Sequence, residues 1–159
     1  MISVIITLAL PLITQFEGFK NCAYWDHGRH SIGYGTAAKS SWECLDSNEY
    51  KAKEKAKQRM IEHVKQDIEY INSLFPSGTP EQKAPLVSLA YNYGRNGIKD
   101  VLRLAENKEF YAAAVKIKSL DKGLEGVKLR REKEAELFLA ASLPLLEKKK
   151  TFAVYAEYS

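Results

Sequence analysis

Two carboxylates, Glu17 and Asp26, stand nine residues apart in a stretch that runs Phe16-Glu17-Gly18, then Ala23-Tyr24-Trp25-Asp26, then Ser31-Ile32-Gly33-Tyr34-Gly35-Thr36. Cleaving a glycosidic bond requires a proton donor to the leaving oxygen and a second carboxyl group that supports water or the developing cation. Glu17 follows an apolar run, where burial would favour the neutral, proton-bearing acid. Asp26 falls at the turn end of a short aromatic strand, a more solvated place where a carboxylate stays ionised and orients water. Ser31, across the turn, offers a hydroxyl to the same water. Taken singly these residues are ordinary, since a glutamate at a helix end is usually a surface residue and an aspartate before His-Gly is a common turn former. Their combination in one stretch is what points to a two-carboxylate site.

The elements that must position these groups are legible in outline. Residues 22–35 alternate around a polar Gly-containing turn and predict a β-hairpin. From Asp46 the chain becomes helical, with Asp46 as N-cap and Glu49 three residues on in capping-box spacing. Ile61, Val64, Ile68, Ile71 and Phe75 then recur at steps of three and four, one buried stripe of a long helix. Thr79-Pro80-Glu81-Gln82 opens the next helix with a cap, a proline in the first turn and a glutamine three residues on. Pro85 would kink that helix or make Ala84 its true start. Short helices are expected over 99–105 and 109–120, a further helix over 129–141 ahead of Pro144, and a tail from Leu145 to Ser159 that carries Lys148 to Lys150. The sum is an α+β arrangement, a small β-hairpin lobe followed by mostly helix, with a cleft between them suited to a polymer.

At 159 residues, 45% apolar and 28% charged, the chain has the size and composition of one globular domain, which excludes wholesale disorder and a multi-spanning membrane protein. A net charge of +4 modestly favours anionic partners without choosing among them. Lys51, Lys53, Lys55, Lys57 and Arg59 do not make a nucleic-acid face, because alternate positions in a helix lie about 200° apart and spread these charges round the cylinder. Met1 to Ile13 is nearly all apolar but shorter than the roughly 20 residues that span a bilayer. It reads as a first helix packed on the core through Ile13 and Phe16, with an uncleaved export signal or weak membrane tether as the alternative. Cys22 and Cys44 are too few for a disulfide scaffold: an oxidising compartment would bridge them, a cytoplasm would leave them as thiols. His27 and His30 read as exposed loop residues and not as metal ligands.

The motifs around Ile13, Phe16-Glu17-Gly18, Ala23 to Asp26 and Ser31 to Gly35 resemble the active-site segment of the phage-type lysozymes, the endolysin family of glycoside hydrolases. Residues 84–94 are similar to that family's central buried helix. Gly123-Leu124 with residues 129–138, including Arg130-Arg131, resemble its late arginine-pair helix. The resemblance covers about residues 13 to 140. It implies a lysozyme-like single catalytic domain over residues 1–159. It further implies cleavage of peptidoglycan between N-acetylmuramic acid and N-acetylglucosamine, with no metal or organic cofactor. Under it Glu17 is the general acid, Asp26 the second carboxylate, and Ser31 stands where the family usually has a threonine that helps to position the attacking water. Tyr34, Asn92 and Arg130 fall at substrate-binding positions, although Arg130 is equally placed to pair with Glu134 four residues along the same helix. The implied partner is bacterial peptidoglycan, met by a monomer made in the bacterial cytoplasm and acting at the wall or periplasm. Three features depart from the family: the step from Asp26 to Ser31 is one residue shorter than in many relatives, Ser31 replaces threonine, and Thr36 stands where a histidine often follows the glycines. The competing readings are a lysozyme-fold glycan-binding or virion protein with little catalysis, and a basic helical protein for membranes or nucleic acid.

Overall fold

The computed structural model of the protein describes the backbone of residues 1–158 and the side chains of residues 1–146. The first helix, α1 (Ile2–Glu17), buries Ile5, Ala9, Leu12 and Ile13, a one-sided spacing that seats it on the core. It stops at Gly18, whose positive φ of 65° directs the chain into the sheet and places Glu17 at the helix's last position. Three antiparallel strands follow in the order β1 (Lys20–Asp26), β2 (Arg29–Gly33) and β3 (Thr36–Ala37). The β1–β2 turn is the dipeptide His27-Gly28, both residues at positive φ, the backbone that a two-residue hairpin turn requires. Its register pairs Asp26 with Arg29 and Tyr24 with Ser31, so these four side chains share one face of the sheet. Cys22 and Cys44 are joined in a disulfide that pins β1 to the loop before α2 (Glu49–Leu74).

The small lobe has its own core of Ile32, Leu45, Ala52 and Ala56, the last two on the first turns of α2. Further along, α2 turns the stripe Met60, Val64, Ile68 and Ile71 into the main core, so one helix serves both lobes. At the centre lies α3 (Pro80–Tyr93), buried at every residue from Gln82 to Ala90 and packed against α1, α2 and α6 (Glu125–Tyr158). A 3₁₀ turn (Arg95–Ile98), α4 (Lys99–Glu106) and α5 (Phe110–Ser119) complete the helical lobe.

Four expectations are corrected. The cap of α2 is Asn48, whose side chain accepts from the Lys51 N–H; Asp46 is turned away because its carboxylate takes the Asn48 N–H and the Lys55 ammonium. Pro85 neither starts nor ends α3, since the reciprocal Thr79–Gln82 capping box already fixes the first turn and the helix runs on past the one missing donor. The late helix is longer than 129–141: it begins at Glu125 and continues through Pro144, whose missing N–H would have met Ala140, on the exposed face. The expected tail is therefore helical in backbone to Tyr158, and the side chains of Lys148 to Lys150 lie outside the described residues. Finally, the hairpin gains the short third strand β3, held by the Ser31–Ala37 and Ile32–Thr36 pairings.

Candidate active site

Glu17 and Asp26 reach the same cleft from different elements, one from the end of α1 and the other from the hairpin turn. The cleft, about 780 Å³, lies between the sheet and the helical lobe and is closed on the far side by Tyr91, Asn92 and Tyr93 of α3 and by Lys122 and Leu124. The phenol of Tyr24, also in the cleft wall, is raised above its ordinary value by burial and then by the Asp26 and Glu17 carboxylates, which places both negative charges within its reach.

The surroundings of Glu17 differ from the apolar pocket expected for it. Its Oε1 accepts a 2.6 Å charge-assisted bond from Arg130 Nη1, and its side chain keeps only 17% of its exposure. Arg130 is itself buried: Nε donates to Glu134 Oε1 at 3.0 Å, Nη2 donates to the carbonyl and hydroxyl of Ser88, and the guanidinium lies over the Phe16 ring. Ser88 in turn donates to Glu134 Oε1, and Arg131 Nη1 donates to Glu134 Oε2. One buried carboxylate thus holds two arginines, and α6 and α3 together hold Glu17. Of the two roles considered for Arg130, the structure shows the pairing with Glu134. It pairs with Glu134 and grips the glutamate, but it stands behind Glu17 and does not line the cleft as a substrate-binding residue would.

On its other side Glu17 meets Gly35, where a Cβ would sit 2.7 Å from Oε2; the φ of 82° there also favours glycine. The Gly33-Tyr34-Gly35 turn is fixed against both lobes. Arg29 Nη2 donates to the Gly35 carbonyl, and the Tyr91 hydroxyl donates to the Tyr34 carbonyl at 2.5 Å. Burial, reinforced by Glu17, raises the Tyr91 phenol far above its ordinary value, so it remains a donor at any working pH. Tyr34 therefore contributes its carbonyl to lobe closure, while its ring packs on Phe19 instead of lining the cleft.

Ser31 is placed otherwise than the sequence suggests. It is fully buried, and its hydroxyl donates to Asp26 Oδ2 at 3.1 Å. The hairpin register forces this, because Ser31 faces Tyr24 and lies diagonal to Asp26. The hydroxyl fixes a carboxylate; it does not stand in the cleft to hold a water. Asn92 does line the cleft, and its Oδ1 accepts from Arg131 Nη2, which fixes the amide.

Among the cleft residues that escaped the reading of the sequence are His63, Asp67 and Arg95. Asp67 has no exposed side-chain surface and is paired with Arg95 Nε at 3.0 Å. Burial, only partly opposed by Arg95, pushes its carboxyl up to about 6. The available signal was an aspartate next to Ile68 in the apolar stripe of α2, with a histidine four residues before it.

The family described as Phage lysozyme matches residues 14–134 of this chain. Curated proteins yield no significant match. Among solved structures, the endolysin from Escherichia coli O157:H7 phage FAHEc1 is similar at 25% identity, covering 83% of this chain and 90% of its own, with a TM-score of 0.68. The muramidase domain of SpmX from Asticaccaulis excentricus is 26% identical over 82% of this chain and 94% of its own, with a TM-score of 0.71. The active form of the P1 phage endolysin Lyz, at 19% identity, shares the fold with a TM-score of 0.72 over 88% of this chain and 94% of its own.

Proposed function

This chain belongs to the phage lysozyme family, and from that membership and the chemistry of its cleft we propose that Glu17 and Asp26 carry out its reaction. The protein is a peptidoglycan hydrolase, a lysozyme, and its substrate is the bacterial wall polymer. Glu17 gives a proton to the glycosidic oxygen as the C1–O bond breaks. Oε2 is the oxygen suited to this, because Arg130 occupies Oε1 and no hydrogen bond from the described residues engages Oε2. Asp26 supports the oxocarbenium-like centre and the water that attacks it. Ser31 holds Asp26 in position, and Asn92 contacts the glycan. The observation that carries this reading is the convergence of both carboxylates on one interlobe cleft, with Glu17 held from behind by a buried arginine.

The test is release of reducing ends from peptidoglycan by the wild type and by Glu17→Gln. Loss of a general acid should lower the rate about a hundredfold or more. A variant as fast as wild type, or a wild type that releases nothing above blank, would sink the assignment.

The finer setting is part of the same proposal. The enzyme acts as a monomer, since every proposed group comes from one chain, and it is made in the bacterial cytoplasm and works at the wall or periplasm. The Cys22–Cys44 disulfide suits an oxidising compartment. No helix of the described residues is long and apolar enough to cross a membrane. Ile2, Val4 and Leu8 are half-exposed on α1, which supports weak surface association through residues 1–13.

A further inference from the structure

His63 belongs to two concavities. It lines the catalytic cleft, and it also lines a second groove of about 340 Å³ between β3 and α2, whose walls include Thr36, Lys39, Arg59, Glu62 and Gln66. His63 is the side chain common to both walls. In the groove Arg59 is committed to Glu43 in a two-pronged pair and the Gln66 amide oxygen accepts from Arg95, so the surface presented beyond His63 is polar, with the Lys39 ammonium and the Glu62 carboxylate uncommitted among the described residues.

The ring is held from two sides. Tyr91 meets it edge-on, with centroids 5.0 Å apart. Asp67 Oδ2 approaches Nε2 at 3.4 Å, too long for a good hydrogen bond. That oxygen is fully buried and has no donor among the described residues. A buried acceptor left open is costly, and a small rotation of the imidazole would bring Nε2–H, the donor nearest to it on His63, within bonding distance. Burial, then the Arg95 and Arg29 cations, lower the His63 pKa and keep the ring neutral. A neutral ring with its proton on Nε2 has a lone pair on Nδ1, an atom with no partner among the described residues.

We propose that His63 is a substrate-binding residue, accepting at Nδ1 a hydrogen bond from a sugar hydroxyl or acetamido N–H, and that the glycan continues over it into the β3–α2 groove. Asp67 is the positioning residue that fixes the tautomer. This rests on the assignment of the cleft as the hydrolytic site.

The test is steady-state hydrolysis of soluble glycan strands by wild type, His63→Ala, His63→Asn and Asp67→Asn, with thermal unfolding of each. His63→Ala should raise KM about tenfold, the loss of one hydrogen bond, with kcat within about twofold. His63→Asn, whose amide oxygen stands near the place of Nδ1, should recover part of that loss. Asp67→Asn should raise KM about threefold without lowering the unfolding temperature at neutral pH, which a merely structural role would not produce. Glycan strands stripped of peptide stems should show the same KM effects, which distinguishes the sugar from the peptide branch as the ligand. An unchanged KM for His63→Ala in an active enzyme, or a loss confined to kcat, overturns the proposal. An inactive wild type instead overturns the hydrolytic assignment.

Discussion

Replacing Arg130 with methionine probes the network that makes Glu17 a cleft residue. The guanidinium donates four hydrogen bonds: to Glu17 Oε1 at 2.6 Å, to Glu134 Oε1 at 3.0 Å, and to the Ser88 carbonyl and hydroxyl at 3.1 and 3.2 Å. Removing one partner of a buried ion pair costs about 3–5 kcal/mol, because the charge left behind stays desolvated. Here the lower end applies, since Glu134 keeps Arg131 on Oε2 and the Ser88 hydroxyl on Oε1. About 3 kcal/mol in a chain of this length corresponds to a fall in melting temperature of roughly 6–12 °C. Lysine should recover little of it, as a single ammonium cannot reach Glu17, Glu134 and Ser88 together. Calorimetry and urea titration measure the loss, and reducing-end release below the new melting temperature measures the effect on Glu17. Because Glu17 loses the contact that aims it, the rate should fall by about tenfold or more even in fully folded protein. A melting temperature within about 2 °C of wild type would refute the claim that this arginine is an essential buried partner.

Gly35→Ala should cost about 1–2 kcal/mol for its left-handed backbone and lower kcat about a hundredfold by pushing Glu17 Oε2 aside; near-normal kinetics would show that the close approach is unimportant. Reducing the Cys22–Cys44 bridge, which closes a loop of 22 residues, should lower stability by about 3 kcal/mol in urea titrations with and without reductant, and equal midpoints would contradict this. Asp67, pushed up to about 6 from 3.8, adds stability that is fully present below about 3.8 and is lost as pH rises through about 6. Asp67→Asn should therefore gain up to about 3 kcal/mol on wild type at about pH 8 and little at about pH 4, and a gain independent of pH would exclude titration of this carboxyl as its source.

Local patterning decided a good deal of this protein. The apolar run ending at Glu17, the His27-Gly28 turn, the α2 stripe and the Thr79–Gln82 cap are encoded within a few residues of one another, so the sequence alone predicts a hairpin lobe, a long shared helix and two carboxylates in one segment. The motifs also point to the family. What local patterning does not contain is which way a polar side chain faces once elements pack. Ser31 is buried on Asp26 because of strand register, and Arg130 reaches Glu17 across 113 residues because α3 brings α6 against the end of α1. His63 and Asp67 look like one more polar pair on a solvated helix until Tyr91 and Arg95 close over them. Spacing along the chain identified the two carboxylates, and hairpin register fixes Asp26 on Ser31, while the burial and long-range hydrogen bonding that hold Glu17 arise only when distant helices pack together.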